Sequence, residues 1–250
     1  MNRTRGRLLI TACAVLLLFS ISLNAGAQEP AALATTQLED VRLRGQDLRS
    51  LLSDLALQYD IPIGFERAMN SNDLTEVRMK FNQITLGDLL TRILAEHKAY
   101  AWEIRDGIVY IFPKNGYRDP IVEQLLNVRL KTFSLKKSTV TWDVETTLLK
   151  TPEFAEVFDA YGLTTLGWTF SGFYFPHLGK NYTLDVSDIT VQSMLNRIVK
   201  ESPTAKFWSV SRDSSEHVFS LNLAALQEGT PKNFRRIDFE ELDLLSYPIP

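Results

Sequence analysis

Apolar positions divide this chain into short segments of two kinds. Val41 and Leu43 alternate with Arg42 and Arg44, the period of a strand with one buried face. Gly45 interrupts that period, and Leu48, Leu51, Leu52, Leu55, Ala56 and Tyr59 then follow at helical spacing. Alternation returns at Ile61, Ile63 and Phe65, and again at Val77, Met79 and Phe81. A second helix is expected from Thr85, where Asp88 completes a capping box that uses Asp in place of Glu; its stripe is Leu86, Leu89, Leu90, Ile93 and Leu94. Tyr100, Trp102 and Ile104 alternate up to Asp106 and Gly107, a two-residue hairpin signal, and a returning strand runs to Pro113. The predicted order is strand, helix, strand, strand, helix, strand, strand. About 75 residues of this kind suffice for a small independent domain.

The second half repeats the order. Residues Ile84 to Leu94 match Ile189 to Val199 in character, with Ile84, Thr85, Leu90, Arg92 and Ile93 recurring as Ile189, Thr190, Leu195, Arg197 and Ile198. After one extra residue, Trp102 and Ile104 correspond to Trp208 and Val210. The strand before the helix also matches, Val77 to Phe81 with Tyr182 to Val186, and Phe133 and Leu135 take the places of Val41 and Leu43. Matched strands on both sides of a matched helix read as a tandem duplication. The expected fold is α+β: two tandem βαββαββ-type modules, each with two helices packed on short sheets. The first covers residues 40–114 and the second, more divergent, residues 127–225, followed by a tail over 226–250. Residues 28–39, rich in Ala and Thr with a Pro, read as a linker.

The copies differ in their insertions. The second carries a longer helical region, broken at Thr151 and Pro152 as N-cap and first helical residue and ended by Gly162. It also has a longer hairpin turn, Ser211 to Glu216, and an insertion holding Phe173, Tyr174 and Phe175. Those three aromatics read either as a satellite core under a loop or as a recognition surface. The tail is amphipathic, with Phe234, Ile237 and Leu242 on its apolar side; it either docks on the second module or is offered to another protein.

The first unit resembles the secretin and TonB N-terminus short domain. The resemblance rests on Val41 to Leu43, the Leu48-to-Leu55 stripe, Ile61 to Phe65, Val77 to Phe81, Ile84 to Leu90, and the closing strands at Tyr100 to Ile104 and Ile108 to Phe112. It implies a small α+β module of the bacterial periplasm that contacts other proteins of a secretion or TonB-linked signalling system. It implies no catalytic residues, and no channel or barrel follows it in this sequence.

The start of the chain agrees with export. Arg3, Arg5 and Arg7 precede an apolar run from Leu8 to Leu23, and Ala25 to Ala27 form a small-residue cleavage site. Residues 1–27 are therefore expected to be a signal peptide, the alternative being an uncleaved anchor, with a periplasmic product and no stable membrane insertion after cleavage. Cys13 is the one cysteine and lies within the signal, so the mature chain has no disulfide, thiol nucleophile or cysteine-based metal site. Net charge is -3, falling to -6 when the three arginines leave. With no long basic run, nucleic acid is an unsuited partner.

No catalytic, cofactor-binding or metal-binding residues stand out in the sequence. His97, His177 and His217 have no second ligand at metal spacing, and no nucleophile elbow or phosphate-cradling loop occurs. Asp185 and Asp188, where a strand turns into a helix, could be offered as paired carboxylates, but Asp188 reads better as turn or cap chemistry. The functional expectation is a non-catalytic adaptor or sensor that binds a protein partner of the cell envelope. The alternatives are a self-assembling scaffold or ring subunit, which makes a homo-oligomer, and an unrecognised periplasmic enzyme.

Overall fold

The computed structural model describes residues 29–69, 77–137, 139–165 and 177–226. The fold is α+β, with seven helices and ten strands among the described residues. In order these are α1 (Glu29–Ala34), β1 (Gln37–Gly45), α2 (Leu48–Tyr59), β2 (Ile63–Glu66), β3 (Val77–Thr85), α3 (Leu86–Ala95), β4 (Tyr100–Arg105) and β5 (Ile108–Pro113). Then come α4 (Pro120–Asn127), β6 (Arg129–Leu135), α5 (Thr141–Leu149), α6 (Pro152–Ala160), β7 (Thr164–Thr165), β8 (Leu184–Thr190), α7 (Val191–Glu201), β9 (Ala205–Asp213) and β10 (Val218–Ala225).

Local chemistry starts and stops these elements. Asp47 caps α2 by accepting from the Ser50 amide at 2.7 Å. Thr85 accepts from the Asp88 amide at 3.1 Å and donates to the Asp88 carboxylate at 2.8 Å, closing the expected box through the two side chains. Thr190 caps α7 in the same way through the Ser193 amide. Asp106 and Gly107 have φ of 55° and 76°, as a two-residue hairpin turn requires. Thr151 stands at the N-cap of α6 before Pro152. Its hydroxyl, however, donates back to the Leu148 carbonyl instead of capping.

The strands form two ribbons and one larger sheet. β1 pairs antiparallel with β3, and β6 with β8. The remaining six run in the order β4-β5-β2-β9-β10-β7. The same pairings occur in both halves of the chain: an antiparallel hairpin, β4–β5 or β9–β10, whose second strand takes a parallel neighbour, β2 or β7. Under the residue correspondence read from the sequence, the ribbons also share a register. Leu38↔Ile84 and Val41↔Phe81 in the first answer to Leu130↔Ile189 and Phe133↔Val186 in the second.

Neither core is closed by one half alone. β2 pairs parallel with β9, with Gly64 opposite Trp208 and Glu66 opposite Val210, so the two halves share one sheet. One face of this sheet presents Ile63, Phe65, Val109, Ile111 and, from β9, Phe207 to the core beneath α2 and α3. The other presents Ile108, Tyr110, Trp208 and Val210 to the core built with α4 to α7. Strands covered on both sides carry near-continuous apolar runs, and the β5 run Ile108 to Ile111 is wholly buried.

Two segments depart from the sequence expectation. Within the expected linker, residues 29–39 are not unstructured: they hold α1 and the start of β1, with Leu33 packed against the first core. The stretch between the two expected modules contains α4, whose Val122, Leu125 and Leu126 are buried in the second core.

The seam depends on a missing side chain. A Cβ on Gly64 would lie 2.5 Å from the Trp208 ring, and Trp208 is fully buried with its indole N–H donating to Asn196 Oδ1 at 3.0 Å. Gly64→Ala should therefore cost about 2 kcal/mol by overpacking, read as a lower urea midpoint; an unchanged midpoint would show that the seam is not tightly packed.

Candidate functional site

The residues singled out as an interaction surface from sequence, Phe173, Tyr174, Phe175, Phe234, Ile237 and Leu242, lie outside the described residues. Of the three histidines, His97 is buried after α3, His177 accepts from Thr204 through its carbonyl, and His217 sits in the β9–β10 turn with φ 54°. Asp188 pairs with Arg129 across the β6–β8 ribbon, which holds its carboxyl below the usual range.

The densest polar chemistry lies instead at the seam. Glu66 ends β2, a strand paired on both sides, and its side chain is 0% exposed. A buried carboxylate must be compensated, and two residues do this through three hydrogen bonds. Arg118 donates from Nε to Oε1 at 3.1 Å and from Nη2 to Oε2 at 3.0 Å, while the Tyr110 hydroxyl donates to Oε2 at 2.6 Å. Burial, and then the Glu66 charge, push the Tyr110 hydroxyl far above the ordinary tyrosine range. Hydrogen bonding to Glu66 raises Arg118 in the same way. Both Glu66 oxygens are thus engaged, which makes this group a clamp rather than an available base.

The clamp reaches neighbouring elements. Arg118 Nη1 donates to Glu123 on α4 at 2.8 Å. The Arg105 guanidinium lies 4.6 Å above the Tyr110 ring, a cation–π contact. Its Nη1 donates to Gln192 Oε1 on α7 at 3.0 Å. Beside it, Asp119 caps α4 through the Ile121 and Val122 amides and accepts from Arg212 of β9 at 2.8 Å. Asp106 of the β4–β5 turn accepts from Asn196, which also holds Trp208. These contacts leave a cavity of about 140 Å³ among Arg105, Tyr110, Arg118, Glu123 and Gln192.

A second, more open groove of about 530 Å³ crosses the β6–β8 ribbon toward the break between α5 and α6. Thr132, Ser134, Thr147, Lys150 and Asp185 line it. On the inner side of α5, Glu145 is buried, and desolvation raises its carboxyl to about 7 against hydrogen bonding from the Leu221 backbone.

Sequence reading missed the seam because its members are far apart in the chain; Glu66 and Arg118 are 52 residues from one another. One local signal was present: Asp119 before Pro120 is an N-cap followed by a first-turn proline. No group of three or more His, Cys, Asp or Glu residues placed to hold a metal occurs among the described residues. No helix among them is long and apolar enough to cross a membrane. No protein-family model matches the chain, no curated protein is detectably similar to it, and no solved structure matches it.

Two outcomes test this description. Arg118→Met leaves Glu66 buried without its counter-charge and should cost about 3 kcal/mol or more in urea melts. The paired change Glu66→Leu with Arg118→Leu should recover most of that loss, and equal losses in both proteins would contradict the clamp. Glu145 gives a pH signature. Its folded value of about 7 lies above the ordinary 4.5, so between those values the folded state keeps a proton that the unfolded state has lost. Stability from this group is therefore intact below pH 4.5 and falls as pH rises toward 7. Glu145→Gln should remove that slope and raise stability at pH 8 by about 2 kcal/mol; parallel pH–melting curves for the two proteins would refute it.

Proposed function

We propose that the chain is a non-catalytic interaction module of the bacterial periplasm, an adaptor or sensor built from two tandem units like the secretin and TonB N-terminus short domain. The observation that carries this reading is the two-stranded β1–β3 and β6–β8 ribbons, separate from the six-stranded sheet and in matched register. A two-stranded ribbon leaves each strand with an edge that a partner strand can extend. The basic N-terminal segment and its apolar run support export, and the repeated residue pattern supports duplication. The buried carboxylate at the seam is consumed by structural contacts, in keeping with a binding role.

A second reading, self-assembly, is favoured by the strand order itself. In β4-β5-β2-β9-β10-β7 the same three-strand sequence occurs twice in the same direction. The outer strands β4 and β7 are thus the counterparts of β9 and β2, which meet at the seam. A second copy could continue the sheet by the same parallel pairing, a head-to-tail contact that builds rings or filaments.

One experiment separates the readings. Photoreactive residues at Gln83 on β3 and Glu103 on β4 in cells, with exposed Tyr117 as a control site, should trap a discrete partner protein from the ribbon position only. An adduct of the chain with itself from Glu103 would favour assembly. Identical or absent adducts from every position would overturn both.

A further inference from the structure

We infer that the open edge of β3 is where a partner protein adds a strand, and that this added strand alternates apolar with acidic residues. The inference rests on the interaction reading and fixes which edge is used and what the partner must carry.

The two strands of the first ribbon are not equally covered. Val41 stands opposite Phe81 and Leu43 opposite Met79, and all four pack toward the first core. On β1, Val41 and Leu43 are 0% and 4% exposed, whereas Phe81 and Met79 on β3 are only half-buried. The inner row is therefore sealed on the β1 side and open on the β3 side. A strand laid beside β3 brings its own side chains within about 5 Å of these two and removes their apolar surface from water.

Backbone geometry selects the same edge. An added strand needs a run of extended backbone whose alternate N–H and C=O groups point outward. β1 is interrupted at Asp40, with φ 47°, and the Asp40 carbonyl accepts from the Tyr59 hydroxyl of α2 at 3.3 Å. β8 is interrupted in the same way at Asp188, with φ 54°. Such irregularities blunt an edge. β6 is extended, but α6 flanks it through the Lys131–Glu153 ion pair at 3.6 Å, and its Phe133 and Leu135 are buried. β3 runs nine residues, Val77 to Thr85, without a positive φ.

Charge names the partner. On the outer face Lys80 stands opposite Arg42, and like charges in that position cost stability. Asp40 pairs with Arg42, whereas exposed Lys80 meets no carboxylate among the described residues. Arg92 of α3 meets none among them either and lies 5.3 Å over the Phe81 ring, although its counterpart Arg197 pairs with Glu201. The edge is thus flanked by cations on both faces. In the second ribbon the positions of Arg42 and Lys80 are held by Ser134 and Asp185, hydrogen bonded at 2.5 Å, so the fold does not require cations there. Acidic residues at the outward positions of an added strand meet Lys80, and apolar residues at its inward positions cover Met79 and Phe81.

The test uses the mature full chain and fluorescein-labelled peptides of about twelve residues. Fluorescence anisotropy should show an alternating Glu–Val peptide binding about tenfold or more tighter than a block-ordered peptide of the same composition or an alternating Lys–Val peptide. N-methylation of one alternate set of its amides should abolish binding, because that set pairs with β3. Lys80→Glu, at an exposed position, should leave the Tm unchanged, weaken the Glu–Val peptide about tenfold or more and strengthen the Lys–Val peptide. Equal binding of the block-ordered peptide, indifference to N-methylation at either set, or unchanged binding in Lys80→Glu overturns the inference. A Gln83 photoadduct of the chain with itself also overturns it. A discrete partner trapped at Gln83 while the Glu–Val peptide fails to bind defeats this inference and leaves the interaction reading standing.

Discussion

The parallel pairing of β2 with β9 is the constraint from which the rest of the architecture follows. It converts two sets of three strands into one sheet and places the helices of each set on opposite faces. Side chains along the central strands therefore alternate between two cores rather than between a core and water. Phe207 serves the first core and Trp208 the second, one residue apart. That close approach is possible because β2 carries Gly64 where the indole crosses it.

The same pairing explains the buried charge. A strand with neighbours on both sides and cores on both faces has no solvent outlet, so Glu66 at its end must be compensated inside. Arg118 and Tyr110 provide this from the connector and from β5, and Asp119 with Arg212 adds a second buried ion pair at 2.8 Å. Such pairs add little net stability over apolar packing, yet losing one partner is costly. They therefore act mainly to hold β2, α4 and β9 in one alignment. The cavity at their centre is a product of that alignment.

Much of the fold was legible in the residue pattern because it depends on neighbours in sequence. The apolar stripes of α2 and α3, the Thr85 and Thr190 caps, and the Asp106–Gly107 turn are each set within a few residues. Alternation marked the buried face of each ribbon strand, while the pairing of β1 with β3 and of β6 with β8 came from the tertiary structure. The helix α1 was not legible, because its Ala-rich run has no period and orders by packing Leu33 against the first core. The seam was illegible for a different reason. Glu66 and Arg118 look like two ordinary charged residues until the strands are aligned.

By itself, then, the sequence determined most of the secondary elements and their order, which arise from short-range periodicity and capping. Only the tertiary structure decided that the halves share a sheet, that each core borrows side chains from the other half, and that Gln192, Arg105 and Arg118 surround one cavity. Those relations depend on which strand edges meet. Edge choice is governed by packing across the whole sheet, and a single strand's alternation carries no record of it.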